Sequence, residues 1–142
     1  MNSDYRSSED KGGYMDMVKI NTFYVTYLNK PEPILIYEKN DGLNINLHLQ
    51  LIELELKSYP VYFKITNSDG VELLSFNGTV DPTQLFDKEK YSDSEAIASI
   101  AFFVKMSQEE LQGSLRLNFS ATIEDEISSV SIFIMEKEDN HG

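Results

Sequence analysis

The clearest feature of the chain is a two-residue alternation of apolar and polar side chains, which is the period of a β-strand. In the segment 43–51 leucine and isoleucine occupy the odd positions, while amides and His48 occupy the even positions. Since successive side chains of a strand point to opposite faces, this predicts a strand with a buried apolar face and a polar outer face. From Ile52 onward the apolar residues fall on even positions, so we expect a β-bulge or a bend after Leu51.

Two β-hairpins are predicted from alternating segments that are separated by turn residues. The first spans residues 61–80 and turns at Asn67-Ser68-Asp69-Gly70, where Asn, Asp and Gly tolerate positive φ. The second spans residues 115–134 and turns at the acidic Glu124-Asp125-Glu126. Each pattern predicts two neighbouring antiparallel strands.

Further strands are predicted where β-branched and aromatic residues cluster, at Val18–Leu28, Ile34–Tyr37 and Ala96–Lys105. Helix signals are short. Asp81-Pro82-Thr83-Gln84 predicts a helical turn reaching about Lys90, and Ser107-Gln108-Glu109-Glu110 has the pattern of a capping box that ends near Gly113. Seven or eight short strands with one or two helical turns predict an all-β fold, an antiparallel β-sandwich of the immunoglobulin-like or the jelly-roll type.

The expected organisation is a single domain between two polar ends. Residues 1–16 are rich in Ser, Asp and Gly, so we expect a flexible leader there, and residues 137–142 are expected to form a frayed acidic tail. The β-sandwich is expected to occupy residues 17–136.

Charge and composition exclude several classes of function. The formal net charge is −12, from 24 acidic and 12 basic residues. This balance disfavours direct binding to nucleic acid or to a membrane surface and favours a basic protein partner, although such charge also serves simply to keep a protein in solution. The chain has no cysteine and no apolar signal segment near its start, so we expect a cytoplasmic protein.

The sequence offers no set of residues suited to catalysis, to a cofactor or to a transition metal. His48 lies on the polar face of the predicted strand, and no motif brings a nucleophile to it. Glu53 and Glu55 are expected to share a strand face, where paired carboxylates more commonly remain solvated than act as acid and base. We therefore expect a protein without enzymatic activity.

The expected interface is the polar face of the longest strand, because asparagine and glutamine have little β propensity and need another reason to occupy a strand. The tyrosines are explained either by a binding surface or by strand propensity alone. The candidate interface residues are Asn44, Asn46, His48, Gln50, Glu53 and Glu55.

Three functions follow in order of preference. The first is a non-enzymatic protein–protein interaction module, as a subunit of a larger assembly or as a homo-oligomer that associates through sheet edges. The second is an acidic inhibitor or nucleic-acid mimic that occupies a basic groove of its partner. The third is a carbohydrate-binding or hydrolase domain, which requires a concave site near His48 or near Glu53 and Glu55.

Overall fold

A computed structural model of the chain describes residues 18–39, 41–82 and 96–136, and the expected leader and tail lie outside this described part. The described residues form eight strands and one short helix. They are β1 (Lys19–Tyr27), β2 (Ile36–Lys39), β3 (Leu43–Leu54), β4 (Tyr59–Asn67), β5 (Glu72–Val80), β6 (Ala96–Met106), α1 (Gln108–Leu111), β7 (Arg116–Ile123) and β8 (Glu126–Glu136).

The strands form two sheets, which confirms the predicted β-sandwich. The three-stranded sheet has the order β1-β3-β6, and the five-stranded sheet has the order β2-β8-β7-β4-β5. The strand pairs are antiparallel, as predicted, except that β2 pairs with β8 in parallel. The neighbours β4-β7-β8 in one sheet and β1-β3-β6 in the other follow the immunoglobulin-type strand order.

Strand β3 supplies the centre of the core. The apolar residues at odd positions from Leu43 to Leu51 are all buried, as the alternation predicted. Facing them, Phe63 of β4 is fully buried and contacts three other aromatic rings, with ring centroids 4.9 Å from Phe76, 4.7 Å from Phe102 and 6.3 Å from Phe23. This cluster joins the two sheets, because Phe23 and Phe102 come from one sheet and Phe63 and Phe76 from the other.

The predicted change of phase in β3 is confirmed as a bulge. Leu51 pairs with Ala98 and Leu54 pairs with Ala96, so Ile52 and Glu53 together oppose Ile97 alone. The extra residue is accommodated by Glu53, whose φ of 60° is left-handed. As a result Leu54 returns to the core and is fully buried.

Both predicted hairpins are present. In the first, the Asn67 side-chain Oδ1 accepts hydrogen bonds from the backbone N–H groups of Asp69 and Val71, at 2.9 and 3.0 Å. In the second, Glu126 already belongs to β8, which leaves Glu124 and Asp125 as the two-residue turn.

The helix α1 has the predicted capping box, in which Ser107 Oγ accepts from Glu110 N–H and Glu110 Oε1 accepts from Ser107 N–H. The helix ends at Leu111, and its C-cap residue is Gln112 rather than Gly113, because Gln112 takes the left-handed conformation with φ of 52°. The turn of helix predicted after Asp81 falls, beyond Pro82, outside the described residues. No helix in the described ranges is long and apolar enough to span a membrane.

Candidate binding surfaces

The predicted polar face of β3 exists as the outer face of the three-stranded sheet. Asn44, Asn46, His48 and Gln50 alternate with the buried leucines and isoleucine and are all half-buried. Their neighbours on β6 include Ala101 beside His48 and Phe103 beside Asn46, and Phe103 is 58% exposed. The face therefore combines amides with an exposed aromatic ring.

His48 is held by two contacts with β1. Its Nε2 lies 2.8 Å from Oγ1 of Thr26, a hydroxyl residue that is fully buried, and its ring stacks on Tyr24 with centroids 4.6 Å apart and planes 4° apart. Burial lowers the pKa of His48 from its ordinary value, which favours the neutral ring. The Nε2 atom of a neutral His48 can accept a hydrogen bond from the Thr26 hydroxyl, so each residue satisfies the other.

Glu53 and Glu55 do not share a strand face, which corrects the expectation from their spacing. Glu53 lies in the bulge, where its carboxylate is 3.9 Å from the Lys19 ammonium. Strand β3 ends at Leu54, so Glu55 lies in the following connection, where its backbone N–H donates to the Tyr59 hydroxyl at 2.8 Å. A two-residue spacing predicts a shared face only while the strand keeps its regular pleat, and the bulge interrupts it here.

A shallow groove of about 470 Å³ lies at the end of this sheet where two strands are irregular. Asn21 is the extra residue of β1, opposite Gln50 and Leu51, and the β3 bulge begins at the next residue, Ile52. The polar residues that line it are Asn21, Gln50 and Ser99. The apolar residues that line it are Leu51, Ile52, Ile97 and Ala98. Of the predicted interface residues, the groove includes Gln50.

The described residues contain no cluster of three or more His, Asp or Glu side chains that is placed to hold a metal ion.

A second surface was not predicted, and it consists of exposed apolar side chains. Five of the eleven large apolar side chains that are exposed among the described residues lie together at one corner of the five-stranded sheet. We name them the corner patch: Leu35 (63% exposed), Ile36 (44%), Leu115 (73%), Phe133 (43%) and Met135 (53%).

Strand pairing brings the corner patch together. Ile36 of β2 and Arg116 of β7 are both register partners of Phe133 in β8, so the three residues form one row across the outer face. Leu35 and Leu115 lie on the two sides of β8, where their carbonyl oxygens accept the N–H groups of Phe133 and Ile134 at 2.8 and 2.9 Å. The patch is therefore built from three segments that are distant in sequence.

One cation, Arg116, borders the corner patch in a fixed orientation. Its guanidinium lies 5.7 Å from the centre of the Phe133 ring. Its Nε donates to Asn118 Oδ1 at 3.0 Å, and its Nη2 donates to Ser131 Oγ at 3.4 Å. Ser131 in turn donates to Asn118 at 2.6 Å, so the side chain is oriented before any partner arrives. The two ion pairs within the described part of the chain, Lys19–Glu53 and Lys57–Glu124, do not involve Arg116.

The free backbone edge beside the corner patch is closed by a tyrosine of the other sheet. The Tyr27 hydroxyl accepts from the Glu38 N–H at 3.0 Å and donates to the Ile36 carbonyl at 3.3 Å. These two β2 groups point away from β8, so a strand added at this edge would have to form its hydrogen bonds with them. The Tyr27 hydroxyl already occupies both groups. The corner is therefore open on its outer face rather than along its edge.

Three tyrosine hydroxyls form structural hydrogen bonds, which bears on whether the tyrosines serve a binding surface. Tyr27, Tyr37 and Tyr59 each bind a backbone N–H group, with Tyr37 accepting from Asn44 at 3.0 Å. Tyr27 and Tyr37 also stack, with centroids 5.2 Å apart. Burial raises the pKa of Tyr59, which keeps its hydroxyl neutral. These three residues hold connections between strands rather than lining an open surface.

Two short segments of the sequence depart from the two-residue alternation and indicate the corner patch. Residues 34–37 and 132–135 are uninterrupted apolar runs, Ile-Leu-Ile-Tyr and Ile-Phe-Ile-Met. Such a run places apolar side chains on both faces of a strand, and a strand with one solvated face needs only one. The two runs supply four of the five patch members, Leu35, Ile36, Phe133 and Met135.

No protein-family model and no curated protein sequence matches the chain. Solved structures share its fold. One is a bacterial adhesin from Mobiluncus mulieris containing intramolecular disulfide, isopeptide and ester bond cross-links, at 13% identity, with 83% of this chain and 57% of the adhesin covered and a TM-score of 0.54. Another is a β-glucuronidase from glycoside hydrolase family 2, at 10% identity, with 82% of this chain and 12% of that chain covered and a TM-score of 0.55.

This chain thus spans little more than half of the adhesin and a small part of the glucuronidase. Likeness at such low identity concerns the fold alone, and it identifies the chain as a β-sandwich domain.

Proposed function

We propose that the domain is a non-enzymatic protein-interaction module that binds its partner through the corner patch. The observation that carries this proposal is the clustering of five exposed apolar side chains at one corner of the five-stranded sheet. Ile36, Phe133 and Met135 lie on its outer face, and Leu35 and Leu115 lie just before β2 and β7 begin. Scattered exposed apolar residues are normal on soluble proteins, whereas a contiguous cluster bordered by polar groups is typical of a protein-binding surface.

The surroundings of the corner patch support the same function. Arg116 provides an oriented cation beside the Phe133 ring, and aromatic and arginine side chains are enriched among the residues that dominate binding energy. The Tyr27 hydroxyl occupies the β2 edge, which favours binding of a partner to the face of the sheet over addition of a strand.

The polar face around His48 and Gln50 stays a predicted second contact surface. Its amides are half-buried in the sheet and are flanked by the exposed Phe103. It resembles a wet, polar interface more than a hydrophobic one, so we place the main contribution to affinity at the corner patch.

The experiment compares two variants that each remove one exposed apolar side chain from β8. Phe133→Ser lies in the corner patch, whereas Ile127→Ser is a matched control at the opposite end of the same strand, where Ile127 is 70% exposed. Both tagged variants and the unmodified chain are used to copurify proteins from the source cell. We expect bound protein, whether foreign or an untagged second copy, to be lost with Phe133→Ser and retained with Ile127→Ser. Equal retention by both variants, or no bound protein with the unmodified chain, would contradict the proposal.

A further inference from the structure

Two opposite charges, Arg116 and Glu38, flank the corner patch at positions that a two-fold axis would exchange. On the outer face, Arg116, Phe133 and Ile36 form one row, and Met135 and Glu38 form the next row along β8. Arg116 therefore lies on one side of β8 and Glu38 on the other, with Phe133 and Met135 between them. With strands about 4.8 Å apart and about 6.7 Å between alternate residues, the two charged positions are separated by about 12 Å along the sheet.

We infer that the partner of the corner patch is a second copy of this chain, packed face to face about a two-fold axis, with Arg116 of each copy opposite Glu38 of the other. This inference rests on the proposed function and specifies its partner. A two-fold interface joins the same surface on both subunits, so each contact between different residues occurs twice. The Arg116–Glu38 contact meets this requirement, and Phe133 and Met135 would meet near the axis.

The packing geometry is one that sheets adopt. A two-fold axis that lies between the two faces and midway between Arg116 and Glu38 makes the two β8 strands cross at about 70°, nearer to the orthogonal than to the aligned class of sheet packing. The two opposite-charge pairs flank the apolar centre. They leave the contact locally neutral, although the whole chain has a net charge of −12.

The exposed area predicts a weak dimer. With about 200 Å² for a large apolar side chain, the exposed fractions of the corner patch amount to roughly 550 Å² per copy. The outer-face members Ile36, Phe133 and Met135 supply roughly 280 Å² of this per copy, or roughly 560 Å² for two copies. Two copies would bury at most roughly 1,100 Å² of apolar surface if Leu35 and Leu115 are also covered, which lies at the small end of specific interfaces. The association is therefore expected to depend visibly on concentration in the micromolar range.

The test is a charge exchange between two variants of the full chain. Arg116→Glu (R116E) and Glu38→Arg (E38R) each place like charges opposite one another in a homodimer, so each is expected to weaken self-association by at least about tenfold. An equimolar mixture of R116E and E38R restores both opposite-charge pairs in a heterodimer. Lys105→Glu, on the outer face of the other sheet, changes the net charge as R116E does and is the matched control.

Sedimentation velocity over about 1 to 300 µM, in about 0.15 M salt to screen distant charges, measures the association. We expect dimer for the unmodified chain, for Lys105→Glu and for the mixture, and monomer for R116E and E38R alone. A monomeric unmodified chain, a dimer indifferent to both single variants, or a mixture that stays monomeric would overturn the inference. Capture of a foreign protein that depends on Phe133 by a chain that stays monomeric would overturn the inference while leaving the proposed function in place.

Discussion

The Tyr27 hydroxyl accepts the backbone N–H of Glu38 at 3.0 Å, and through this bond a residue of the three-stranded sheet closes the edge of the five-stranded sheet. The same hydroxyl donates to the Ile36 carbonyl. Exposed strand edges are templates for unwanted pairing, and proteins protect them with short strands or by covering them. Here the four-residue strand β2 is protected in both ways.

Tyr27→Phe removes both hydrogen bonds while keeping the ring and its stacking on Tyr37. We expect the free energy of unfolding to fall by about 1 kcal/mol, the usual net contribution of such bonds where water can replace the partner. Urea denaturation measures the change. Tyr62→Phe is the matched control, since Tyr62 is 38% exposed on the outer face of β4, and a loss as large in the control would contradict the role assigned to the Tyr27 hydroxyl.

Gly42 and Gly70 both have φ of +81°, so alanine is strained at either position by about 1–2 kcal/mol. They differ in their surroundings. A Cβ at Gly42 would overlap the carbonyl oxygen of Met106, whereas a Cβ at Gly70 meets nothing within 4 Å. We expect Gly42→Ala to lower the free energy of unfolding by at least about 2 kcal/mol more than Gly70→Ala does. Equal losses in thermal or urea unfolding would show that β3 and β6 do not approach as described.

Glu53→Gly is expected to raise the free energy of unfolding by about 1 kcal/mol, because Glu53 has a positive φ that glycine adopts without strain. The lost ion pair with Lys19 is exposed and subtracts little. Glu55→Gly removes an equivalent carboxylate at a position without positive φ and is expected to be neutral or destabilising. Destabilisation by Glu53→Gly as large as that by Glu55→Gly would argue against the bulge.

The free energy of unfolding is expected to depend on pH through the protonation of His48. Its pKa is lowered by burial, so the unfolded chain binds this proton at a higher pH than the folded chain does. The stability contributed by neutral His48 is fully present above about pH 6.5 and is lost as the pH falls through the lowered folded value. His48→Gln keeps a side chain able to bind Thr26 but does not titrate. We expect its free energy of unfolding to fall less than that of the unmodified chain between pH 7.5 and pH 5, and parallel curves would contradict this.

Local pattern was sufficient to predict much of the fold. The alternation over 43–51 identified the central strand and its buried residues, and the slip after Leu51 identified the bulge. The turn residues at Asn67 and Glu124 identified both hairpins. These features depend on neighbours within a few residues, which is the range over which side-chain period and turn chemistry act.

What the sequence did not predict depends on distant pairing. The parallel contact of β2 with β8 joins segments nearly one hundred residues apart, and no local pattern specifies it. The corner patch needs that contact, since it gathers Ile36, Leu115 and Phe133 from three segments that are distant in sequence. The expected shared face of Glu53 and Glu55 was wrong for a local reason, because the bulge at Glu53 and the end of β3 at Leu54 interrupt the regular alternation.

Site-specific photo-crosslinking in the source cell tests most directly whether the corner patch contacts another protein. A photoreactive residue is placed at Leu115, the most exposed member of the patch, or at Ile127, which is similarly exposed outside it. We predict a discrete crosslinked species from position 115 and only background from position 127. Equal yields from the two positions, or a species from position 127 alone, would contradict the account.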